Sequence, residues 1–148
     1  MLRSSTAATE LARRLWTEAE GGAGTDSPEA IAAAAERLCA KLRQQLGRWI
    51  GRDGFHGLLQ RALDQARPAH PWLVDLRCED GRLEDIAPAV RGPGVADGAA
   101  GMVTVIAALV QTLGRIAGDE MALRLVEHAW AAGASGPAAT ETEGESDD

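Results

Sequence analysis

The longest apolar stretch of the chain runs from Gly98 to Trp130 and is interrupted once, at Gly118-Asp119. Before this break, large apolar residues recur at the three- and four-residue spacing of a helix that packs on a core. They are Met102, Ile106, Leu109, Leu113 and Ile116. After the break, glycine ends one helix, aspartate caps the next, and the inward residues are Met121, Leu125, Val126 and Ala129. The stretch therefore predicts an αα-hairpin at the centre of the molecule.

The opposite side of the first of these helices carries mostly small residues. A helix that is apolar nearly all round is buried on more than one side or crosses a membrane. Thr104, Gln111 and Thr112 leave too few consecutive apolar residues for the roughly 20 that a bilayer requires, so no membrane span is predicted. Small side chains let a second backbone approach closely, and we expect this face to be an interaction surface. Its residues are Ala100, Thr104, Ala107, Gln111 and Gly114.

Three more helices are predicted in the first half of the chain. The first ends near Glu20, and the glycine-rich joint 21–24 predicts that it packs loosely, or against a partner rather than its own domain. The second begins at Pro28, ends near Ile50 and has these inward residues: Ile31, Ala35, Leu38, Leu42, Leu46 and Trp49. A turn over 51–54 leads into the third, whose inner side carries Phe55, Leu58, Leu59, Ala62 and Ala66.

Residues 72–86 show a different pattern. Apolar and polar residues alternate on both sides of Asp80-Gly81, which is a strong hairpin signal. We predict a small two-stranded β-hairpin whose apolar side rests on the helices. That side comprises Trp72, Val74, Leu76, Leu83 and Ile86. The alternative is an extended loop that leads to a short helix over 82–90.

These elements give a mainly all-α fold, a helical bundle of two αα-hairpins with an N-terminal helix and a small β-hairpin at 72–86. The two hairpins share a motif: 46–51 (LGRWIG) resembles 113–118 (LGRIAG), and an acidic residue and another helix follow each. Either the halves are related by a pseudo-twofold axis or the short match is due to chance.

A chain of 148 residues is long enough for one domain with a core. We divide it into an N-terminal helix and glycine linker (1–24), a single helical domain (25–132) and a disordered acidic tail (133–148). The two cysteines form no disulfide framework and the N-terminus shows no signal-peptide pattern, so a cytoplasmic location is expected. The bias toward Ala, Gly and Arg is typical of a bacterium with a GC-rich genome.

The net charge of −7 argues against a general binder of nucleic acid or anionic membranes. Basic residues nevertheless cluster on the outer side of the second helix. They are Arg37, Lys41 and Arg48, with Arg52 nearby. This face is either an ordinary solvated surface or a docking stripe for an acidic partner.

The chain shows no recognisable catalytic, metal or cofactor motif. His56, His70 and His128 are not at metal-ligand spacing, and neither glycine-rich segment has the lysine and hydroxyl residues of a phosphate-binding loop. No cofactor is predicted, and enzyme activity is left open without a positive signal.

We therefore expect a non-enzymatic helical interaction or adaptor protein. It would associate with itself as a homodimer through the small-residue face of the central helix, through the first helix, or through both. One alternative is a nucleic-acid-binding regulator that uses the basic face of the second and third helices. Another is a small enzyme or ligand carrier with a site inside the bundle.

Overall fold

The computed structural model describes residues 2–20, 26–79 and 81–140, with side chains over 6–20, 26–79 and 81–131. Over these residues the chain forms five α-helices and one two-stranded antiparallel sheet. The elements are α1 (Leu2–Glu20), α2 (Pro28–Ala66), a 3-10 turn (Pro71–Asp75), β1 (Arg77–Glu79), β2 (Arg82–Glu84), α3 (Ile86–Arg91), α4 (Val95–Ala117) and α5 (Asp119–Thr140). The prediction of a mainly all-α fold with a small β-hairpin is confirmed.

Glycines with positive φ separate the helices of both predicted hairpins. Gly51 (φ 81°, ψ 168°) bends α2 sharply and divides it into a first arm, 28–50, and a second arm, 52–66. Gly118 (φ 94°, ψ 145°) joins α4 to α5. Its N–H donates to the Gly114 carbonyl at the end of α4, and its carbonyl accepts the Ala122 N–H at the start of α5. Only glycine adopts this backbone conformation without strain. The turn at 51 occupies one residue rather than the four predicted, and Gly54 already lies in the second arm.

The first arm of α2 lies alongside α4, and the two run in the same direction. Gly98 near the start of α4 faces Ile31 near the start of α2, since a β-carbon built on Gly98 would lie 3.2 Å from Ile31 Cδ1. Further along both helices, one small internal cavity is lined by Leu38 and Leu42 of α2 and by Leu109 of α4, among others. Residues later in α2 therefore lie beside residues later in α4, as in a pair of parallel helices.

Helix α4 lies at the centre of the bundle, as predicted. It contacts α1, α2 and α5, and its stripe is buried at Met102, Ile106, Leu109 and Leu113. By length and composition alone, α4 is long and apolar enough to cross a membrane, and 61% of its most apolar window is buried in the protein. The core helix of a soluble protein meets the same criteria.

Helix α1 packs on its own domain, so the expectation that it packs loosely or against a partner is wrong. Its apolar stripe is buried at Leu11, Ala12, Leu15 and Trp16. Polar contacts hold it to two other helices: Arg14 forms an ion pair with Glu127 of α5 at 2.7 Å, and Arg37 of α2 donates to the Ala19 carbonyl. The glycine-rich joint 21–24 and the residue that follows it lie outside the described residues.

The segment between the two hairpins combines both predicted alternatives. A hairpin forms with Cys78 opposite Leu83, but it is shorter than 72–86 because 71–75 turn as a 3-10 helix that begins at Pro71. The short helix α3 follows at 86–91. At the other end of the chain, α5 continues to Thr140, past residue 133 where the acidic tail is predicted to begin, and 141–148 lie outside the described residues.

Candidate interaction surfaces

The predicted small-residue face of α4 lines an open groove. The groove has a volume of about 360 Å³ and lies between α1, α4 and the second arm of α2. Four of the five predicted residues border it: Ala100, Thr104, Ala107 and Gln111. The fifth, Gly114, is buried elsewhere, because a β-carbon there would lie 2.5 Å from Asp119 Oδ1 at the start of α5. Its small size therefore serves the junction between α4 and α5.

Several polar groups in and behind the groove have partners within the protomer. The Thr104 hydroxyl donates to the Ala100 carbonyl at 3.0 Å and lies 2.9 Å from His70 Nε2, so the His70 ring is the donor in that contact. Gln65 Nε2 donates to Thr112 Oγ1 at 3.2 Å. The hydrogen-bonding groups of these residues are therefore used within the protomer and do not converge on the groove as a reactive site would require.

The predicted basic face is partly used inside the protomer. Arg37 donates to the Ala19 carbonyl of α1, and Lys41 Nζ lies 4.1 Å from the ring centroid of Trp130 on α5. This distance allows a cation–π contact. Arg48 and Arg52 are exposed at the end of the first arm and just beyond Gly51. The four residues do not form one continuous row of free cations.

One of the two thiols, that of Cys78, lies close to an imidazole. Cys78 Sγ is 3.7 Å from His56 Nδ1, which also accepts the Gly81 N–H at 3.1 Å. The pKa of Cys39 is raised to about 12, mainly by burial and to a smaller extent by the nearby Cys78 thiol. Burial raises the pKa of Cys78 to about 11. Both thiols are protonated at neutral pH, whereas a nucleophile or metal ligand must be a thiolate.

A cavity of about 420 Å³ lies beside Cys39, between the first arm of α2 and β2. Its charged lining mixes both signs: Glu36, Arg43, Arg82, Glu84 and Asp85. Within the described residues, no group of three or more His, Cys, Asp or Glu side chains could hold a metal ion.

Three large apolar side chains remain uncovered at one end of the bundle. Trp49 is 70% exposed, Ile116 69% and Met121 49%. Trp49 lies 18 residues after Ile31, and Ile116 lies 18 residues after Gly98. Since Ile31 and Gly98 are in contact and the helices are parallel, both side chains lie about 27 Å further along, at the same end. We call Trp49, Ile116 and Met121 the end patch.

The predicted inward positions of Trp49, Ile116 and Met121 are wrong, because all three side chains are exposed. The helical spacing directs Trp49 and Ile116 toward the core, but each lies in the last turn of its helix, beyond the side chains that would cover it. A sequence signal was present: both residues occupy the same position of the repeated motif, two residues before Gly51 and Gly118. Val74 is also exposed, at 66%, although the hairpin pattern directs it inward.

No protein-family model, no curated protein and no solved structure matches this chain. Function has to be inferred from the surfaces of the molecule itself.

Proposed function

We propose that this protein is a non-enzymatic helical interaction protein that acts through protein–protein contacts and associates with itself through the end patch. The observation that carries this proposal is the exposure of Trp49, Ile116 and Met121 at one end of the bundle, since among the described side chains Val74 is the other exposed large apolar residue. Clustered apolar residues on the surface of a soluble domain mark interaction sites far more often than scattered ones do.

The end patch is a better candidate for self-association than the surfaces expected from the sequence. The apolar stripe of α1 is consumed by contacts within the protomer. The small-residue face of α4 is partly closed, since Ala107 is 6% exposed and Gly114 is buried against the start of α5. In contrast, the side chains of Trp49 and Ile116 are 70% and 69% exposed at the end of the bundle.

The size of the patch is consistent with a weak dimer. Burying a large apolar side chain contributes about 1.5–3 kcal/mol, and a side chain that is half to two-thirds exposed gains a corresponding part of this. Six side chains, three from each copy, would contribute about 6–10 kcal/mol, against an association cost of about 4 kcal/mol or more. The net gain is at most about 6 kcal/mol, which corresponds to a dissociation constant no tighter than tens of micromolar.

Light scattering coupled to size-exclusion chromatography, over a series of loading concentrations, measures this association. The mass should rise from the monomer value of 15.5 kDa toward twice that value at high micromolar concentration. Ile116→Glu places an unpaired charge in the contact and should return the protein to a monomer throughout this range.

Val74→Glu is the matched control. Val74 is as exposed as Ile116, but it lies in the 3-10 turn whose Trp72 contacts Gly101, about 22 Å before Ile116 along α4. This variant should associate like the wild type. A wild-type protein that stays monomeric at high micromolar concentration, or equal loss of association in both variants, would contradict the proposal.

A further inference from the structure

The cavity beside Cys39 adjoins a second cavity near the turn of the β-hairpin. The second cavity has a volume of about 260 Å³, and both cavities are lined by Arg43, Arg82 and Glu84. The turn itself lies on Arg43, since a β-carbon built on Gly81 would be 3.3 Å from Arg43 Cδ. The two cavities form one groove between the first arm of α2 and the hairpin, which we call the hairpin groove.

The turn end of the hairpin groove carries an excess of positive charge. The second cavity is lined only by charged residues: Arg43, Arg52, Glu79, Arg82 and Glu84. Both acids have a basic partner, because Glu79 lies 2.6 Å from Arg77 and Glu84 lies 3.7 Å from Arg82. Among the described residues, no ion pair within 4.0 Å involves Arg43 or Arg52. Arg43 is half-buried, where an unpaired charge is poorly solvated, so this end suits an anionic group.

The other end of the hairpin groove is acidic. Glu36 and Asp85 line the first cavity but not the second. Within the described part of the chain Glu36 forms no ion pair, and Asp85 is 4.0 Å from Arg77. Seven residues of helix separate Glu36 from Arg43, which corresponds to about 10.5 Å along the axis. The groove therefore suits a ligand that carries opposite charges at its two ends.

The lining between the charged ends consists of small or apolar residues. They are Ala35, Cys39, Ala40 and Leu83. Burial and the Cys78 thiol have the largest effects on the pKa of Cys39, but Arg43 also lowers this pKa and Glu36 also raises it. The charges at both ends thus lie close enough to act on the thiol between them.

We propose that the hairpin groove binds a short peptide of about three residues with free ends. Its N-terminal ammonium group lies at Glu36 and Asp85, and its C-terminal carboxylate lies at Arg43, Arg52 and Arg82. An extended chain advances about 3.4 Å per residue, so three residues cover the distance between the two ends. The first cavity, at about 420 Å³, is within the size range of ligand sites.

The charge pattern separates this ligand from other classes. A polyanion such as nucleic acid would meet Glu36 and Asp85, and the two charges of a free amino acid are too close together to reach both ends. The site uses no residue of the end patch, so it does not depend on self-association.

Isothermal titration calorimetry at low salt, with trialanine as the probe, tests the proposal. N-acetyl-trialanine lacks the ammonium group and trialanine amide lacks the carboxylate. Each blocked form should bind on the order of tenfold more weakly than trialanine, because each loses a charged hydrogen-bonding end. Dialanine, which is too short to reach both ends, should also bind more weakly.

Substitutions assign each end of the peptide to its end of the groove. Arg43→Gln and Glu36→Gln should each weaken trialanine binding about three- to tenfold. Trialanine amide should bind Arg43→Gln as well as it binds the wild type, and N-acetyl-trialanine should do the same with Glu36→Gln. Arg48→Gln is the matched control, because Arg48 is exposed on the same helix and lines neither cavity.

Binding of trialanine to Arg48→Gln and to the monomeric Ile116→Glu variant should equal binding to the wild type. The proposal is overturned if trialanine shows no binding at millimolar concentration, or if its blocked forms bind as tightly as trialanine does. It is also overturned if Arg43→Gln and Glu36→Gln, folded by circular dichroism, bind trialanine no more weakly than Arg48→Gln. Each of these results leaves the end patch untouched, since self-association is measured separately by light scattering.

Discussion

Replacing Gly98 with alanine tests the close packing of the start of α4 on α3 and α2. The new β-carbon would lie 2.7 Å from Val90 Cγ1 and 3.2 Å from Ile31 Cδ1. Val90 and Ile31 are buried and β-branched, so neither side chain can turn away without displacing others. The backbone of α4 has to shift away from α2 and α3 instead.

Two effects of this substitution oppose each other. Overpacking a closed core costs about 1–3 kcal/mol, whereas alanine in place of glycine within a helix gains up to about 1 kcal/mol. We expect a net loss of about 1–2 kcal/mol in the free energy of unfolding. For a domain of this size, the loss corresponds to a decrease of about 2–8 °C in Tm.

Urea unfolding followed by tryptophan fluorescence and by far-ultraviolet circular dichroism measures the change. Gly47→Ala is the matched control, since Gly47 is also helical but nothing lies within 4 Å of its added β-carbon. This control should be as stable as the wild type or more stable, by up to about 1 kcal/mol. If Gly98→Ala were as stable as Gly47→Ala, the close packing of α4 on Val90 of α3 and Ile31 of α2 would be refuted.

Two further predictions concern the bend in α2 and the two half-buried thiols. Gly51→Ala should destabilise the protein by about 1–3 kcal/mol in the same unfolding assay. The space around Gly51 is open, but its φ of 81° and ψ of 168° are strained for any residue that has a side chain. An unchanged stability would contradict this backbone conformation at the bend. The folded pKa values of about 12 for Cys39 and about 11 for Cys78 lie above the ordinary 9.0, so the unfolded chain loses these protons first as pH rises. The stability contributed by the protonated thiols should therefore be constant below about pH 9 and fall above it. Unfolding measured over a pH series should show a shallower fall in Cys39→Ala than in the wild type, and identical slopes would contradict the burial of this thiol.

Most of the secondary structure follows from local chemistry. The 3.6-residue period of apolar side chains predicts the helices, and Ser27-Pro28 marks the start of α2, where the Ser27 hydroxyl accepts the Ala30 N–H. Gly51 and Gly118 mark the junctions because no other residue adopts their backbone conformation without strain. The groove is also partly predictable, since a row of small residues leaves space wherever no neighbour fills it.

Only the tertiary structure decided which apolar side chains stay uncovered. Periodicity shows which side of a helix faces its neighbours, but not where along its length those neighbours end. Trp49 and Ile116 continue the inward stripe of their helices and are exposed because the parallel helices end together. In the same way, the positions of α1 and α5 determine that Arg37 and Lys41 make contacts within the protomer while Arg48 and Arg52 remain at the surface. A sequence pattern predicts local backbone structure, whereas the burial of a side chain depends on contacts between residues far apart in the chain.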